Sequence, residues 1–290
     1  MNCSPRRRER RSRLAAVAEA DARAEQAAVD VAVLGTGTMG EAVLAAVLAG
    51  GQPAGRTLAT ARRPERAAEL TGRHGVRVVG VREAAAADVV VLGVKPQQLE
   101  AVAAEVAGAV REGALLVSLL AGVTTARLAS LFPGAKVVRT VVNTPALVGA
   151  GVTVLAAGAG AGEDELARTE QLLAATGTVL RLAEGQLDAA TGVSGSGPAF
   201  VFAVADALAE GGVGAGLPRA VALQLAAATV LGAGRLMVET GTHPALLREQ
   251  VTSPAGTTAA GLRELDAQGM RAALVSAVMA SARRSGELAG

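Results

Sequence analysis

Apolar and polar positions follow two regimes along the chain. Short runs rich in Val, Ala and Leu recur from residue 29 to about 183, separated by stretches of helix formers; from 184 onward the runs stop and long Ala/Leu/Val-rich segments take over. The runs at 29–34, 56–60, 76–79, 89–94, 115–120, 137–142, 152–157 and 179–182 predict about eight strands. Several are apolar without alternation, as parallel strands covered on both faces require. Helix patterns fill 41–48, 65–70 and 163–175. Strand and helix alternate, so the expected fold is α/β, with a Rossmann-like doubly wound sheet over 29–183 and an all-helical domain over 184–290. Within the helical half, 220–238 is apolar on nearly every face, interrupted by Gln224, Thr229 and Arg235. A helix of that kind needs burial all round, and about 107 residues cannot supply it. A second subunit is therefore expected there.

The first strand runs straight into Gly35-Thr36-Gly37-Thr38-Met39-Gly40, a match to G-x-G-x-x-G, with Glu41 and helix formers behind it. Gly35 permits a tight turn, Gly37 lets a pyrophosphate approach the backbone, Gly40 lets helix and strand pack closely, and the helix N-terminus offers unpaired N–H groups. An ordinary glycine turn is the alternative. The second strand ends at Ala61-Arg62-Arg63-Pro64. An NAD site places an acid there to hold the ribose 2′-OH, whereas arginine suits a 2′-phosphate, so NADPH is expected and NADH is the alternative. Arg62 and Arg63 cannot be ranked from sequence, and two solvated arginines opening a helix would read the same way. Lys95 follows the strand 89–94, at the carboxyl end where such sheets bind their ligands.

Composition narrows the chemistry. There is no Tyr or Trp, two His (His74 and His243), two Lys (Lys95 and Lys136) and one Cys, Cys3. A Tyr–Lys dehydrogenase site is excluded, no metal-ligand spacing occurs, and no internal disulfide can form. The first 13 residues hold six Arg against Glu9, a net of +5, so the formal +2 of the chain conceals a body near −3. Residues 1–28 read as a disordered extension; without aromatics a basic run is usually solvated, so no nucleic-acid partner is expected. Glu9, Glu19, Asp21 and Glu25 argue against a transit peptide. Apolar stretches are broken by charge or glycine, so no membrane span is expected.

In the helical half, Gly192 to Pro198 reads as a helix kink with Ser196 as an N-cap, and 251–266, VTSPAGTTAAGLRELD, is the polar loop. Ser253, Pro254, Ala255 and Gly256 form a turn, and Thr257-Thr258 begin a helix, so backbone N–H groups and hydroxyls converge where a carboxylate could sit. A well-capped helix would look alike.

Together these residues resemble pyrroline-5-carboxylate reductase, through the glycine turn, VKPQ at 94–97, AGV at 121–123, NTPALVGAGVT at 143–153, SGSGPAF at 194–200, HP at 243–244 and VTSPAGTTAAGL at 251–262. The resemblance implies NAD(P)H-dependent reduction of the cyclic imine 1-pyrroline-5-carboxylate to L-proline, in proline biosynthesis, by a cytoplasmic homodimer or a decamer of dimers. It implies that Val251, Ser253, Gly256 and Thr257 hold the substrate, that Thr258 faces the ring nitrogen, and that Glu184 lies near the reacting groups. It adds Thr36, Thr38, Met39, Val94, Pro96, Ala121 and Asn143 to the cofactor-binding set. Three positions depart from the family: Val142 replaces a usual Pro, Ala255 a usual Gly, and Gly80 a frequent Asn. A β-hydroxyacid dehydrogenase would use a lysine in its helical half, and the last lysine here is Lys136. A catalytically silent NADPH-binding regulator remains the third alternative.

Overall fold

The computed structural model describes residues 30–289, which form two compact units, one through Glu184 and one from Gly185. The expected extension 1–28 and Val29 lie outside the described residues. The first unit runs β1 (Val31–Leu34), α1 (Thr38–Ala49), β2 (Thr57–Ala59), α2 (Pro64–His74), β3 (Arg77–Val78), α3 (Val81–Ala84), β4 (Val89–Leu92), α4 (Leu99–Glu105), β5 (Leu115–Ser118), α5 (Thr125–Leu131), β6 (Lys136–Val142), β7 (Gly151–Ala157), α6 (Glu163–Leu173) and β8 (Gly177–Arg181). Its eight strands make one sheet in the order β3-β2-β1-β4-β5-β6-β7-β8. Val31 pairs with Thr57 on one side and Val89 on the other, both in parallel register.

Alternate residues face opposite layers, which explains the unbroken apolar runs. Ala32, Leu34, Val90, Leu92, Leu116 and Val137 pack into one buried cluster. Val31, Val33, Val89, Val91, Leu115 and Val117 pack into the other. β2, β4 and β5 end before their apolar runs do, and the last residues of those runs continue into the loops beyond, as Val94 does beyond β4. β6 and β7 pair antiparallel, Thr140 opposite Leu155. Between them lies only a 3₁₀ turn, Thr144–Val148, and a parallel return would need a crossover of a dozen or more residues.

The second unit is helical: α7 (Leu187–Ala190), a π-turn (Thr191–Gly195), α8 (Gly197–Gly214), α9 (Arg219–Thr240), α10 (Pro244–Gln250), α11 (Thr257–Ala267) and α12 (Met270–Ala289). Ala209, Ala222 and Ala226 make a small buried cluster between α8 and α9. The rest of α9 is largely uncovered within the protomer, Leu231 at 72% and Val238 at 82% exposed. Contrary to the sequence expectation, residues Glu184–Gly214 and Arg219–Thr240 do reach the length and apolar character of a membrane span. Ser196 stands at the N-cap position of α8, as expected, but its side chain bonds no helix N–H; its Oγ lies 2.6 Å from Ser281 Oγ instead.

Candidate functional site

β1 and β4 are neighbours although α1, β2 and β3 separate them in sequence, so the chain leaves the sheet in opposite directions at their carboxyl ends. A crevice opens at such a point. Here it is a cavity of about 660 Å³ lined by Gly35, Thr36, Gly37, Arg62, Arg63, Val94 and Lys95 from the expected set, together with Thr60, Arg66, Gly80, Gln98 and Glu105. Gly35 has φ +89°, and a Cβ there would stand 2.7 Å from the Val94 backbone nitrogen. A Cβ on Gly40 would run into the Gly35 carbonyl, whereas one on Gly37 would meet nothing within 4 Å. The turn therefore needs its first and third glycines for packing and leaves the second open toward a ligand. Gly37 is also the N-cap of α1 with no side chain bonded there, which leaves the helix N–H groups available to phosphate.

The end of β2 braces this turn. Gly35 N–H donates to Thr60 Oγ1 at 2.9 Å, and Thr36 Oγ1 donates to the Thr60 carbonyl at 2.7 Å. The Thr36 hydroxyl is thus committed to the end of β2. Arg62 and Arg63 stand exposed at the mouth with no acid at the end of β2; the Glu105 carboxylate in the lining comes from α4. Turned so that its oxygen faces the guanidinium, the Gln98 amide accepts from Arg62 Nη1 at 2.9 Å and Nη2 at 3.2 Å. Thr38 lines an adjoining recess of about 450 Å³. Met39, Gly40, Pro96, Ala121 and Asn143 are not in the cavity wall. Asn143 is buried, and its Oδ1 accepts from Val152 N–H at 2.8 Å, joining the ends of β6 and β7.

The sequence reading missed Arg66. It sits in the first turn of α2, four residues after Arg62, which precedes the helix, and its Nη2 donates to the Thr36 carbonyl at 3.3 Å and to Glu41 Oε2. Glu41 also receives Arg73 at 2.6 Å and His74 at 3.1 Å. Burial opposes ionisation of Glu41, but the hydrogen bonds from Arg66 and His74 and the charges of Arg66 and Arg73 outweigh it and lower its pKa.

Glu184 ends the first unit with both carboxylate oxygens engaged. Oε1 accepts from Thr125 N–H at 2.7 Å and Arg139 Nη1 at 3.2 Å, and Oε2 accepts from Thr125 Oγ1 at 2.6 Å. Partial burial raises its pKa, but the two Thr125 bonds and Arg139 more than offset this, and the net shift is downward.

In the helical unit, Gly256 N–H closes a turn on the Ser253 carbonyl at 3.1 Å, and Ala255 takes φ +56°. Among the described residues no other non-glycine has positive φ. Gly256 is the N-cap of α11 with no side chain bonded there, so the N–H groups of Thr257 and Thr258 open the helix. A Cβ at Gly256 would collide with Ser253 Oγ, so that hydroxyl lies close against the same N-terminus and glycine leaves it room. Ser253, Thr257 and Val251 are exposed and Thr258 is half-buried.

A family model described as pyrroline-5-carboxylate reductase dimerisation matches residues 184–288, and one described as NADP oxidoreductase, coenzyme F420-dependent, matches 30–122. The chain is 43% identical over 272 residues to a pyrroline-5-carboxylate reductase of Synechocystis sp., covering 90% of this chain and 98% of that one. It is similar to the solved structure of a pyrroline-5-carboxylate reductase from Coxiella burnetii, 33% identical with TM-score 0.85, over 90% of this chain and 99% of that one. A Plasmodium falciparum pyrroline carboxylate reductase solved with NADP bound shares the fold at 22% identity and TM-score 0.81, over 90% of this chain and 98% of that one. The apolar, largely uncovered helices of the second unit fall inside the dimerisation match, which accounts for surface that would otherwise read as membrane-spanning. With a relative this similar along nearly its whole length, the chain belongs to the pyrroline-5-carboxylate reductase family.

Proposed function

We propose that the chain reduces 1-pyrroline-5-carboxylate to L-proline with NADPH, as a homodimer or an assembly of dimers in the cytoplasm. The observation that carries the reading is the cavity at the β1/β4 switch point, where a glycine turn with an open second glycine faces Arg62, Arg63 and Lys95. Those residues fit a dinucleotide with a 2′-phosphate: N–H groups for the diphosphate and guanidinium groups for the extra dianion. When bound, the dinucleotide supplies the hydride.

The helical unit supplies the substrate groups. Ser253, the Thr257 N–H and the backbone at Gly256 hold the carboxylate, with Val251 beside them, and the Thr258 hydroxyl accepts from the protonated ring nitrogen. A cyclic imine protonated to its iminium carries its own electrophilic activation. Hydride adds to the imine carbon, the C=N π pair becomes the nitrogen lone pair, and the proton already on nitrogen stays there as the amine N–H. No side chain has to deliver a proton, so what the protein contributes is orientation, charge complementarity and exclusion of water. Glu184 serves as an anchor for the start of α5 rather than as a proton donor, a role supported by its two engaged oxygens and lowered pKa. Following NADPH oxidation with 1-pyrroline-5-carboxylate beside a panel of keto acids and other cyclic imines tests the assignment. Turnover of a keto acid in preference to the cyclic imine would overturn it.

A further inference from the structure

An NADP-selecting site has to hold two anionic groups at one fixed separation, and this chain places their partners on different segments. The diphosphate is taken by the turn between β1 and α1, and the 2′-phosphate by the arginines that precede α2. Something must set the spacing. Glu41, in the first turn of α1, is the acid closest in sequence to the glycine turn, and an unanswered carboxylate there would repel a diphosphate. It is answered entirely from α2, by Arg66, Arg73 and His74. Arg66 is 20% exposed and Glu41 17%, so this contact is better shielded than the surface ion pairs Arg77–Glu83 and Arg284–Glu287. The same guanidinium reaches the Thr36 carbonyl inside the glycine turn and pairs with Glu69 on its own helix. Arg66 therefore spans three places: the turn, the first turn of α1, and α2. Arg63 and Arg62 lie three and four residues before it, so a constraint on Arg66 is a constraint on where α2 presents them.

We propose that Glu41 is a positioning residue for cofactor selectivity: by clamping Arg66 against the glycine turn it fixes the distance between the diphosphate-binding turn and the Arg62/Arg63 pair. The inference rests on reading this cavity as the NADP(H) site. It predicts a selectivity defect rather than a general loss of binding, because the turn itself stays braced by Thr60.

Calorimetric titration of the full chain with NADPH and with NADH tests this. Glu41→Ala should raise Kd for NADPH by about tenfold, the scale of one hydrogen bond to a charged group, while Kd for NADH moves less than about twofold. Glu41→Gln keeps an acceptor for the guanidinium and should lose less. Arg66→Ala should weaken both cofactors by leaving Glu41 facing the diphosphate with fewer cations; adding Glu41→Ala should then restore NADH binding and leave NADPH weak. A Kd ratio unchanged in Glu41→Ala overturns the proposal, and if that variant fails to fold by circular dichroism, an unchanged ratio in Glu41→Gln does so. A parent chain that does not prefer NADPH, and does not respond to joint replacement of Arg62 and Arg63 by Ala, refutes the reading of the cavity itself and takes the proposal with it. An NADPH preference that responds to Arg62 and Arg63 but not to Glu41 refutes the positioning role alone.

Discussion

Removing the Glu184 carboxylate should loosen the first unit before it touches the chemistry. Its partner Arg139 sits in β6 with only 4% of its side chain exposed, and Glu184 itself is 31% exposed. Stripping one member from a buried ion pair costs about 3 to 5 kcal/mol, and the partial exposure of Glu184 brings the expected loss for Glu184→Ala down to about 2 kcal/mol. For a unit of this size that corresponds to a Tm lower by roughly 5 °C. With no tryptophan or tyrosine in the chain, far-UV circular dichroism is the suitable readout. The pH dependence gives a second, independent signature. Because the folded pKa of Glu184 lies below its ordinary 4.5, its contribution is fully present above that value and disappears as pH falls through the lower folded value. The gap in Tm between parent and Glu184→Ala should therefore be widest near neutrality and narrow below 4.5. Glu184→Gln should keep kcat within about threefold at temperatures where it is folded, whereas loss of a true general acid costs about two to four decades. A variant with parental Tm and a hundredfold lower kcat would refute the anchoring role and make Glu184 a proton donor.

Joint replacement of Arg62 and Arg63 by Ala should lower kcat/KM with NADPH by about one to two decades and leave NADH within about twofold; equal losses would count against a 2′-phosphate role. Thr258→Ala should lower kcat/KM for the imine by about one to two decades with NADPH affinity unchanged, the scale of one hydrogen bond to a charged group, and a change within twofold would leave that threonine as part of the helix start only. Ser253→Ala should raise KM for the imine and spare kcat, since its bond to the carboxylate is the same before and during hydride transfer. Light scattering should give a dimer or a multiple of it, and a stable monomer at micromolar concentration would contradict the account of α9. Ala255→Gly should raise Tm slightly, because the roughly 1 to 2 kcal/mol cost of a methyl at φ +56° exceeds the extra chain entropy of glycine by less than about 1 kcal/mol.

What the sequence disclosed follows from how local each feature is. β1, β4 and β5 were legible because strands covered on both faces must be apolar at every position, and Val89–Leu92 satisfies that without reference to any neighbour. The glycine turn was legible because a φ of +89° at Gly35 and the near-contact of Gly40 with the Gly35 carbonyl admit almost no other residue. Arg66, and the partners of Glu184, were opaque for the opposite reason. An arginine and a glutamate on predicted helix starts look solvated, and their partners lie 25 residues away for Glu41 and 59 and 45 away for Thr125 and Arg139. The antiparallel turn of β7 was missed because its cause is a short connection, which apolar periodicity does not register.

The scarcity of proton-transfer side chains in this chain becomes intelligible once each is placed. His74 is committed to Glu41, and His243 Nδ1 accepts from Ala245 N–H at 3.2 Å as the cap of α10. Lys136 pairs with Glu165 at 2.5 Å, which with the Gly162 N–H pulls that carboxyl down to about 2. Lys95 belongs to the wall of the dinucleotide cavity. No histidine or lysine is thus left beside the Ser253–Thr258 turn in its own unit, and the turn offers N–H groups and hydroxyls instead. Such a set can bind a carboxylate and steady a ring nitrogen, but it cannot protonate a ketone at a useful rate, because a threonine hydroxyl is far too weak an acid near neutral pH. A 2-keto acid would need the missing acid, whereas an iminium brings its proton with it. On the proposed assignment of this turn to the substrate, its polar inventory favours an iminium over a 2-keto acid by what it lacks as much as by what it offers.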